Sequence, residues 1–318
     1  MNSLHAFWHA TTVFSSRLAD VRLGALALAL GFCVANLTLR SAAWRNILQA
    51  GYPGRVRYRS IAGAYFAGVG VNSLLPARGG DVMKIYIAHR SMPGAAYTTI
   101  TSSLFCETML DAVIGPVLLI AAYASGRIPH LPAIGRLGTW EWTVLVANER
   151  VVIFVLAIVL LSLGVFFTYI ERRVTSVWER IADGFAILRT PKRYLTTVAA
   201  VQLAGWGCRW AAMFWFLEAF RIPASPIDAL LALTAGSAAT LLPLTPGGVG
   251  PQQALLGYMF RNAAPTSAVL SFSVGMQFAI TLTYVILGGI AITLTLRRLP
   301  WKASVPKPPE PEPAPRPH

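Results

Sequence analysis

The sequence is poor in charged residues. They make up 13% of its 318 positions, whereas hydrophobic residues make up 55%. An ordinary globular domain is about 25% charged, so this chain has about half of the usual share. Apolar runs such as 23–39 and 151–170 approach the length that crosses a hydrocarbon core of about 30 Å. The sequence therefore predicts a polytopic integral membrane protein and excludes a soluble fold.

Residues and motifs for enzyme chemistry are also scarce. Cys33, Cys106 and Cys208 lie inside apolar runs, which indicates small core residues and not a disulfide framework or a zinc site. No nucleotide-binding loop, H-E-x-x-H motif or nucleophile elbow is present. We therefore expect no metal, no cofactor and no catalytic residues. No cleavable signal peptide is expected, because no small-residue cleavage site follows the first apolar run.

Acidic residues are few as well: 13 Asp and Glu stand against 27 Lys and Arg, for a net charge of +14. The cations lie in short segments between apolar runs, where the positive-inside rule places them, so nucleic acid is not an expected partner. Seven apolar stretches can be marked. They span about 22–40, 60–76, 97–123, 151–170, 194–220, 228–250 and 265–296.

Stretches two and six run into helix-breaking residues. The breaks contain Pro76, Gly79 and Gly80 in the first case, and Pro243, Pro246, Gly247, Gly248 and Gly250 in the second. A helix does not continue through such a composition, and broken backbone at membrane depth needs protein or water around it. Both stretches are interpreted as re-entrant hairpins. This interpretation also places the basic segments 41–59, 171–193 and the C-terminal tail together on the cytoplasmic side.

The hairpins expose a repeat of span, hairpin and span. Repeat one covers about 22–123, repeat two covers about 194–296, and the extra span between them makes the second copy inverted. The expected fold is an all-α polytopic membrane domain over 1–298, of the kind found in secondary transporters. A proline-rich tail, 299–318, is expected to be disordered and cytoplasmic, with a peripheral partner left open. The pattern of 171–193 predicts an amphipathic surface helix.

Ionisable groups inside spans are candidates for function, because they are costly in lipid. Glu107 and Asp111 share one face of span three, and Arg209 lies near the middle of span five. We expect the three to meet across the repeat interface, where they could bind a headgroup or relay a proton. A purely structural buried ion pair is the alternative.

The first hairpin supplies the other candidates. Arg78 stands beside two glycines, a combination of guanidinium and free amides that suits phosphate. Asp81 and Lys84 follow, either as headgroup ligands or as charges that mark the hairpin's mouth. Asn72 is expected to satisfy freed backbone groups, with substrate contact as the alternative.

These motifs resemble the lysylphosphatidylglycerol synthase transmembrane-region family, also called flippase-like membrane proteins. The resemblance rests on L-R…W-R at 39–45, N-S-L-L-P-A-R-G-G-D at 72–81 with Lys84, E…D at 107–111, W…R-W at 206–210 and P-G-G-V-G at 246–250. It implies a prokaryotic cytoplasmic-membrane protein related to the domain that moves aminoacylated phosphatidylglycerol between leaflets. Other relatives are linked to lipid or polyprenyl-linked glycan traffic.

The sequence departs from the family pattern at four places. The family usually has Glu at Asp81, Arg at Lys84, Arg at Thr108 and often Glu near Gln253. The last difference puts proton coupling in doubt, and only the proline-rich tail follows span seven where some relatives carry an aminoacyl-transfer enzyme.

The function that we expect is translocation of a phospholipid or a lipid-linked anionic headgroup. The alternatives are a membrane-embedded enzyme or enzyme subunit that acts on lipid-linked substrates, with Glu107 and Asp111 as acid and base, and a non-transporting scaffold. The oligomeric state is not predicted.

Overall fold

A computed structural model describes residues 20–75, 79–124, 181–222, 224–239, 251–261 and 264–298. Every regular element in these ranges is helical, as the composition predicts. The helices are α1 Leu23–Gly51, α2 Tyr58–Asn72, α3 Gly79–Ser91, α4 Tyr97–Ala124, α5 Ala200–Ala219, α6 Pro226–Ala239, α7 Pro251–Met259 and α8 Thr266–Arg298. A short α-helix, Pro191–Tyr194, and a π-helical turn, Leu195–Ala199, lead into α5.

Within the described part of the chain, three segments are long and apolar enough to cross a membrane. They are Leu23–Gly51, Tyr97–Leu118 and Ser267–Thr295, which lie in α1, α4 and α8. Many of their apolar side chains, such as Val113 and Phe278, are exposed on the outside of the helix bundle. The chain is a multi-pass membrane protein.

Helices α2 and α3 form an antiparallel pair. They cross at Gly68 and Gly80, where a Cβ on Gly80 would collide with the carbonyl oxygen of Gly68. With 15 and 13 residues, neither helix reaches the about 20 residues that a crossing needs. The hydroxyl of Tyr52, just beyond α1, accepts a hydrogen bond from the amide of Ala96, so the chain enters α4 beside the end of α1.

Helices α6 and α7 also pack against each other, with Gln252 beside Gly236. They belong to a second apolar cluster that includes the N-terminal half of α1, whereas α2 and α3 pack around its C-terminal half. The two short-helix pairs therefore lie towards opposite ends of α1. The predicted breaker residues between α6 and α7 (Pro243, Pro246, Gly247, Gly248 and Gly250) lie outside the described residues, as do the 151–170 span and the 299–318 tail.

Helix α1 packs along α5, and the two helices run in opposite directions. Near one end the amide of Arg22 donates to the carbonyl of Ala219 at 2.9 Å, and near the other the Asn46 side chain donates to the carbonyl of Thr197 at 2.9 Å. Between these points Gly205 allows a close approach to Asn36.

Helices from the N-terminal part of the chain (α1 to α4) also pack against helices from the C-terminal part (α5 to α8). Helix α8 packs against α2, and α4 packs against α6. The α2–α8 crossing is a backbone contact, since a Cβ on Gly70 would lie 2.8 Å from the Cα of Gly288. Each short-helix pair is therefore covered by a long helix from the other part of the sequence.

Two sequence-based expectations differ from the structure. The first span was expected to end at about Arg40, but α1 continues to Gly51 because Ala43, Trp44, Ile47 and Leu48 form a further buried face. The amphipathic helix predicted over 171–193 is broken in its described part: helix ends at Gly184, and a 3-10 turn follows over Ala186–Arg189. Ile187, and not Leu188, is the buried residue there.

Candidate functional site

A buried ion cluster joins α1 to α4. Nη2 of Arg40 lies 2.5 Å from Oε1 of Glu107 and 2.6 Å from Oδ2 of Asp111. Nε of Arg40 also donates to Oε1 of Glu107 at 2.9 Å. The Glu107 side chain is 2% exposed and that of Asp111 is 27% exposed, so Asp111 is the accessible member of the cluster.

Side chains from two other helices complete the cluster. The Tyr65 hydroxyl, from α2, accepts a hydrogen bond from Nε of Arg40 at 2.8 Å and donates to Glu107 at 3.2 Å. From α5, Nε1 of Trp206 donates to Oδ1 of Asp111 at 2.9 Å, and Nε2 of Gln202 donates to the backbone carbonyl of Glu107 at 2.8 Å. Four helices therefore meet at the two carboxylates.

Arg209 lies next to this cluster but outside its ion pairs. Its guanidinium stacks over the Trp206 ring at 4.2 Å from the centroid, and the Trp206 indole donates a hydrogen bond to Asp111. Both carboxylates pair with Arg40, so the expected ion pair between Arg209 and these acids is not formed. No acidic side chain among the described residues forms a salt bridge with Arg209.

The hairpin residues form a second polar cluster at the crossing of α2 and α3. Asn72 accepts a hydrogen bond from the amide of Gly80 at 2.7 Å, the backbone role expected from its place before the break. Its amide nitrogen donates to Asp81 at 3.2 Å, and Asp81 pairs with Nζ of Lys84 at 3.0 Å. Lys84 is buried, which does not fit the alternative in which its charge marks a solvated mouth of the hairpin.

The described structure places five of the seven candidate ligands in these two clusters, and a sixth, Arg209, beside the ion cluster. Gly79 and Gly80 form the start of α3, whereas Arg78 and Pro76 lie outside the described residues. Within the described ranges, no group of three or more His, Cys, Asp or Glu side chains has a metal-binding arrangement.

Four cluster residues were not among the predicted ligands: Arg40, Tyr65, Gln202 and Trp206. Of these, Arg40 and Trp206 lie in the motifs that carry the family resemblance. Arg40 was counted with the basic residues that flank span one, because the last arginine of an apolar run usually marks its end. The renewed apolar face at Ala43, Trp44 and Ile47 was the signal that the helix continues and places this cation inside it.

The arrangement can bind an anion while it keeps its own acids neutralised. Arg40 and Arg209 balance Glu107 and Asp111 in formal charge. Nε and Nη2 of Arg40 are taken by the carboxylates and Tyr65, whereas Arg209, next to a partly exposed carboxylate, has no hydrogen bond or ion pair with another described residue. Guanidinium groups suit the oxygens of a phosphate, because two parallel N–H groups can donate at once.

Comparison with known proteins identifies the family of the chain. Residues 5–288 match the family described as the lysylphosphatidylglycerol synthase TM region. Glycosyltransferase AglD of Haloferax volcanii is 25% identical over 319 aligned positions, which cover 88% of this chain and 50% of that protein. The chain thus spans about half the length of this curated relative. No solved structure matches the chain. The family match covers most of the chain and confirms the resemblance noted in its motifs: the protein belongs to the lysylphosphatidylglycerol synthase TM region family.

Proposed function

We propose that this protein is a lipid translocase that moves a phospholipid or a lipid-linked anionic headgroup between the leaflets of a prokaryotic cytoplasmic membrane. The observation that carries the proposal is the polar cluster of Arg40, Glu107 and Asp111, with Arg209 beside it and free of described ion pairs, inside a bundle of apolar helices. Ionisable groups at such a place are costly and mark a path for polar substrate.

The packing supports an inverted repeat with two re-entrant hairpins. Helices α1 and α5, the first spans of the two repeats, run antiparallel, and the α2–α3 and α6–α7 pairs lie towards opposite ends of α1. Transporters with inverted repeats bind substrate where broken helices meet near the midplane. A site of that kind is supported here by the ion cluster, which combines side chains of α2, from the first short-helix pair, with side chains of α1, α4 and α5.

In this proposal the headgroup passes along the polar cluster while the acyl chains remain in lipid. Arg209 takes the phosphate, with Arg78 steering it at the hairpin. Asp111, Asp81 and Lys84 line the route, and Asn72 holds the hairpin closed at Gly80. The N-terminus is outside, and the C-terminal tail, 299–318, is cytoplasmic, where its prolines can bind a peripheral partner. The protein acts by binding and moving its substrate and is not an enzyme.

The similarity to a glycosyltransferase favours one second candidate, a membrane subunit that presents lipid-linked substrates to an enzyme. The chain would then bind the same headgroups without moving them. Direct catalysis by Glu107 and Asp111 is a weaker alternative, because both carboxylates are ion-paired with Arg40 and neither is a free base.

The test is a leaflet-resolved assay in liposomes with the purified full-length chain. The labelled lipids are phosphatidylglycerol, phosphatidylethanolamine and a polyprenyl phosphate, and an impermeant quencher reads the outer leaflet. We expect movement of at least one lipid above protein-free liposomes, near loss in Arg209→Met and Arg78→Ala, and partial retention in Arg209→Lys and Arg78→Lys.

The matched control is Arg57→Met, which removes an exposed cation outside the ion cluster and should transport normally. Rates are normalised to monodisperse protein. If the wild-type protein binds a labelled lipid but moves none, the translocase proposal is wrong. That result would support the substrate-presenting subunit instead. Full transport by folded Arg209→Met would remove Arg209 from the site.

A further inference from the structure

Tyr65 contacts both polar clusters. Its hydroxyl lies in the ion cluster, 2.8 Å from Nε of Arg40 and 3.2 Å from Oε1 of Glu107. Its ring faces the hairpin, with Nζ of Lys84 at 4.4 Å from the ring centroid. The whole side chain is 3% exposed. A single buried side chain therefore has one cation against its face and another against its hydroxyl.

The Lys84 side of this contact is fixed to the hairpin crossing. Lys84 is bonded to Asp81, Asp81 accepts from Asn72, and Asn72 accepts from the amide of Gly80. A Cβ on Gly68 would also collide with the Lys84 side chain, so the lysine stem lies directly across α2. A shift of α3 along α2 must therefore move the ammonium relative to the Tyr65 ring.

The hydroxyl side is equally constrained. The phenol oxygen accepts from Arg40 and donates to Glu107, and both partners are held by the Arg40–Glu107–Asp111 ion pairs. A phenol ring is rigid between its face and its hydroxyl. The ring cannot follow Lys84 without changing the two hydrogen bonds at its other end.

We propose that Tyr65 is a positioning residue that couples the α2–α3 hairpin to the Arg40–Glu107–Asp111 cluster. The position of the ring depends on its contact with the Lys84 ammonium, and the hydroxyl fixes the positions of Arg40 and Glu107 through two hydrogen bonds. The consequence for lipid movement rests on the translocase proposal. The coupling itself is a property of the folded chain and is measurable without any lipid transport.

The experiment changes a residue of the ion cluster and measures the stability of helix α3 at the hairpin. Glu107→Gln is introduced into the full-length chain in nanodiscs of phosphatidylethanolamine and phosphatidylglycerol, and amide hydrogen exchange is followed in α3. We expect exchange in α3 to rise about five-fold, the equilibrium equivalent of about one hydrogen bond. In a Tyr65→Phe background, which keeps the ring but removes the hydroxyl, Glu107→Gln should change α3 exchange less than about two-fold.

Tyr52→Phe is the matched control background. It also removes one hydroxyl from a tyrosine of the same part of the bundle, but that hydroxyl bonds the Ala96 amide and not the cluster. The full effect of Glu107→Gln on α3 should persist there. If Tyr65→Phe is not monodisperse, Lys84→Met serves as the second background, because it removes the ammonium from the Tyr65 ring, and Glu107→Gln should then also change α3 exchange less than about two-fold.

Two results would overturn the coupling. One is exchange in α3 that does not respond to Glu107→Gln, and the other is a response of equal size with Tyr65 and with Phe at that position. A liposome assay without lipid movement, alongside an intact coupling in nanodiscs, would refute the translocase proposal and leave the role of Tyr65 standing.

Discussion

Replacement of Arg40 by methionine tests the assignment of the buried ion cluster. The guanidinium holds Glu107 and Asp111 at 2.5 and 2.6 Å, and the Glu107 side chain is almost completely removed from solvent. Arg40→Met leaves two carboxylates together without a cation bonded to them. Loss of one partner of a buried ion pair costs about 3–5 kcal/mol, because the remaining charge is uncompensated. We expect the free energy of unfolding to fall by that amount.

The cost should disappear when the acids are neutralised together with the arginine. In Arg40→Met/Glu107→Gln/Asp111→Asn no charge remains in the cluster. The new amide oxygens can still accept from Tyr65 and Trp206, so the polar partners on α2 and α5 are not orphaned. Because a neutral replacement of a buried ion pair is often nearly neutral in stability, the triple variant should lie within about 1 kcal/mol of the wild type.

Arg209→Met is the matched control, since it removes a guanidinium from the neighbouring helix. Its described contact is the Trp206 ring at 4.2 Å, and a cation–π contact contributes about 0.5–1 kcal/mol at an exposed site and about 2 kcal/mol when it is desolvated. The assay is equilibrium unfolding in lipid–detergent bicelles with an anionic denaturant. The reasoning is refuted if Arg209→Met costs as much as Arg40→Met, or if the triple variant remains as unstable as the single one.

Two further predictions concern the hairpin and the topology. Gly80→Ala should lower the free energy of unfolding by about 1–3 kcal/mol, because the added methyl group would meet the carbonyl oxygen of Gly68. The control is Gly207→Ala, whose added methyl group meets nothing within 4 Å, and equal stability of the two variants would contradict the close crossing. In a cysteine-free chain in whole cells, an impermeant maleimide should label Asp20→Cys but neither Arg57→Cys nor Glu310→Cys, and labelling of either of the latter would contradict the cytoplasmic placement of those segments.

The helical elements were largely predictable, because apolar runs in a membrane protein are long and the bilayer fixes their length. The expected stretch at about 97–123 is α4, Tyr97–Ala124, and the stretch at about 265–296 is α8, Thr266–Arg298. The polar second arm of the first hairpin, α3, was not marked as a stretch of its own. Its Asp81 and Lys84 satisfy each other inside the fold, and hydropathy cannot detect such a pair.

The candidate site was predictable only in part. The i, i+4 spacing of Glu107 and Asp111 indicated a shared helix face, and both carboxylates indeed bind the same guanidinium. Which arginine binds them could not be read from the sequence. That choice depends on how α1 and α5 pack beside α4, and Gly205 lets α5 approach α1 beside Asn36 and Arg40. Tyr65 had no signal at all, because a tyrosine in an apolar helix is usually only a packing residue.

The exchange of packing partners between the two parts of the chain has a consequence for biosynthesis. The α2–α3 hairpin emerges from the ribosome long before α8, which begins at Thr266 and later covers α2 at Gly63 and Gly70. Until α8 is made, the glycine surface of α2 lacks its partner. The same holds for α4, which is synthesised before α6. Assembly of the first half is therefore completed only after α8 has been synthesised, and we expect two fragments cut between α4 and α5 to stabilise each other when they are produced together.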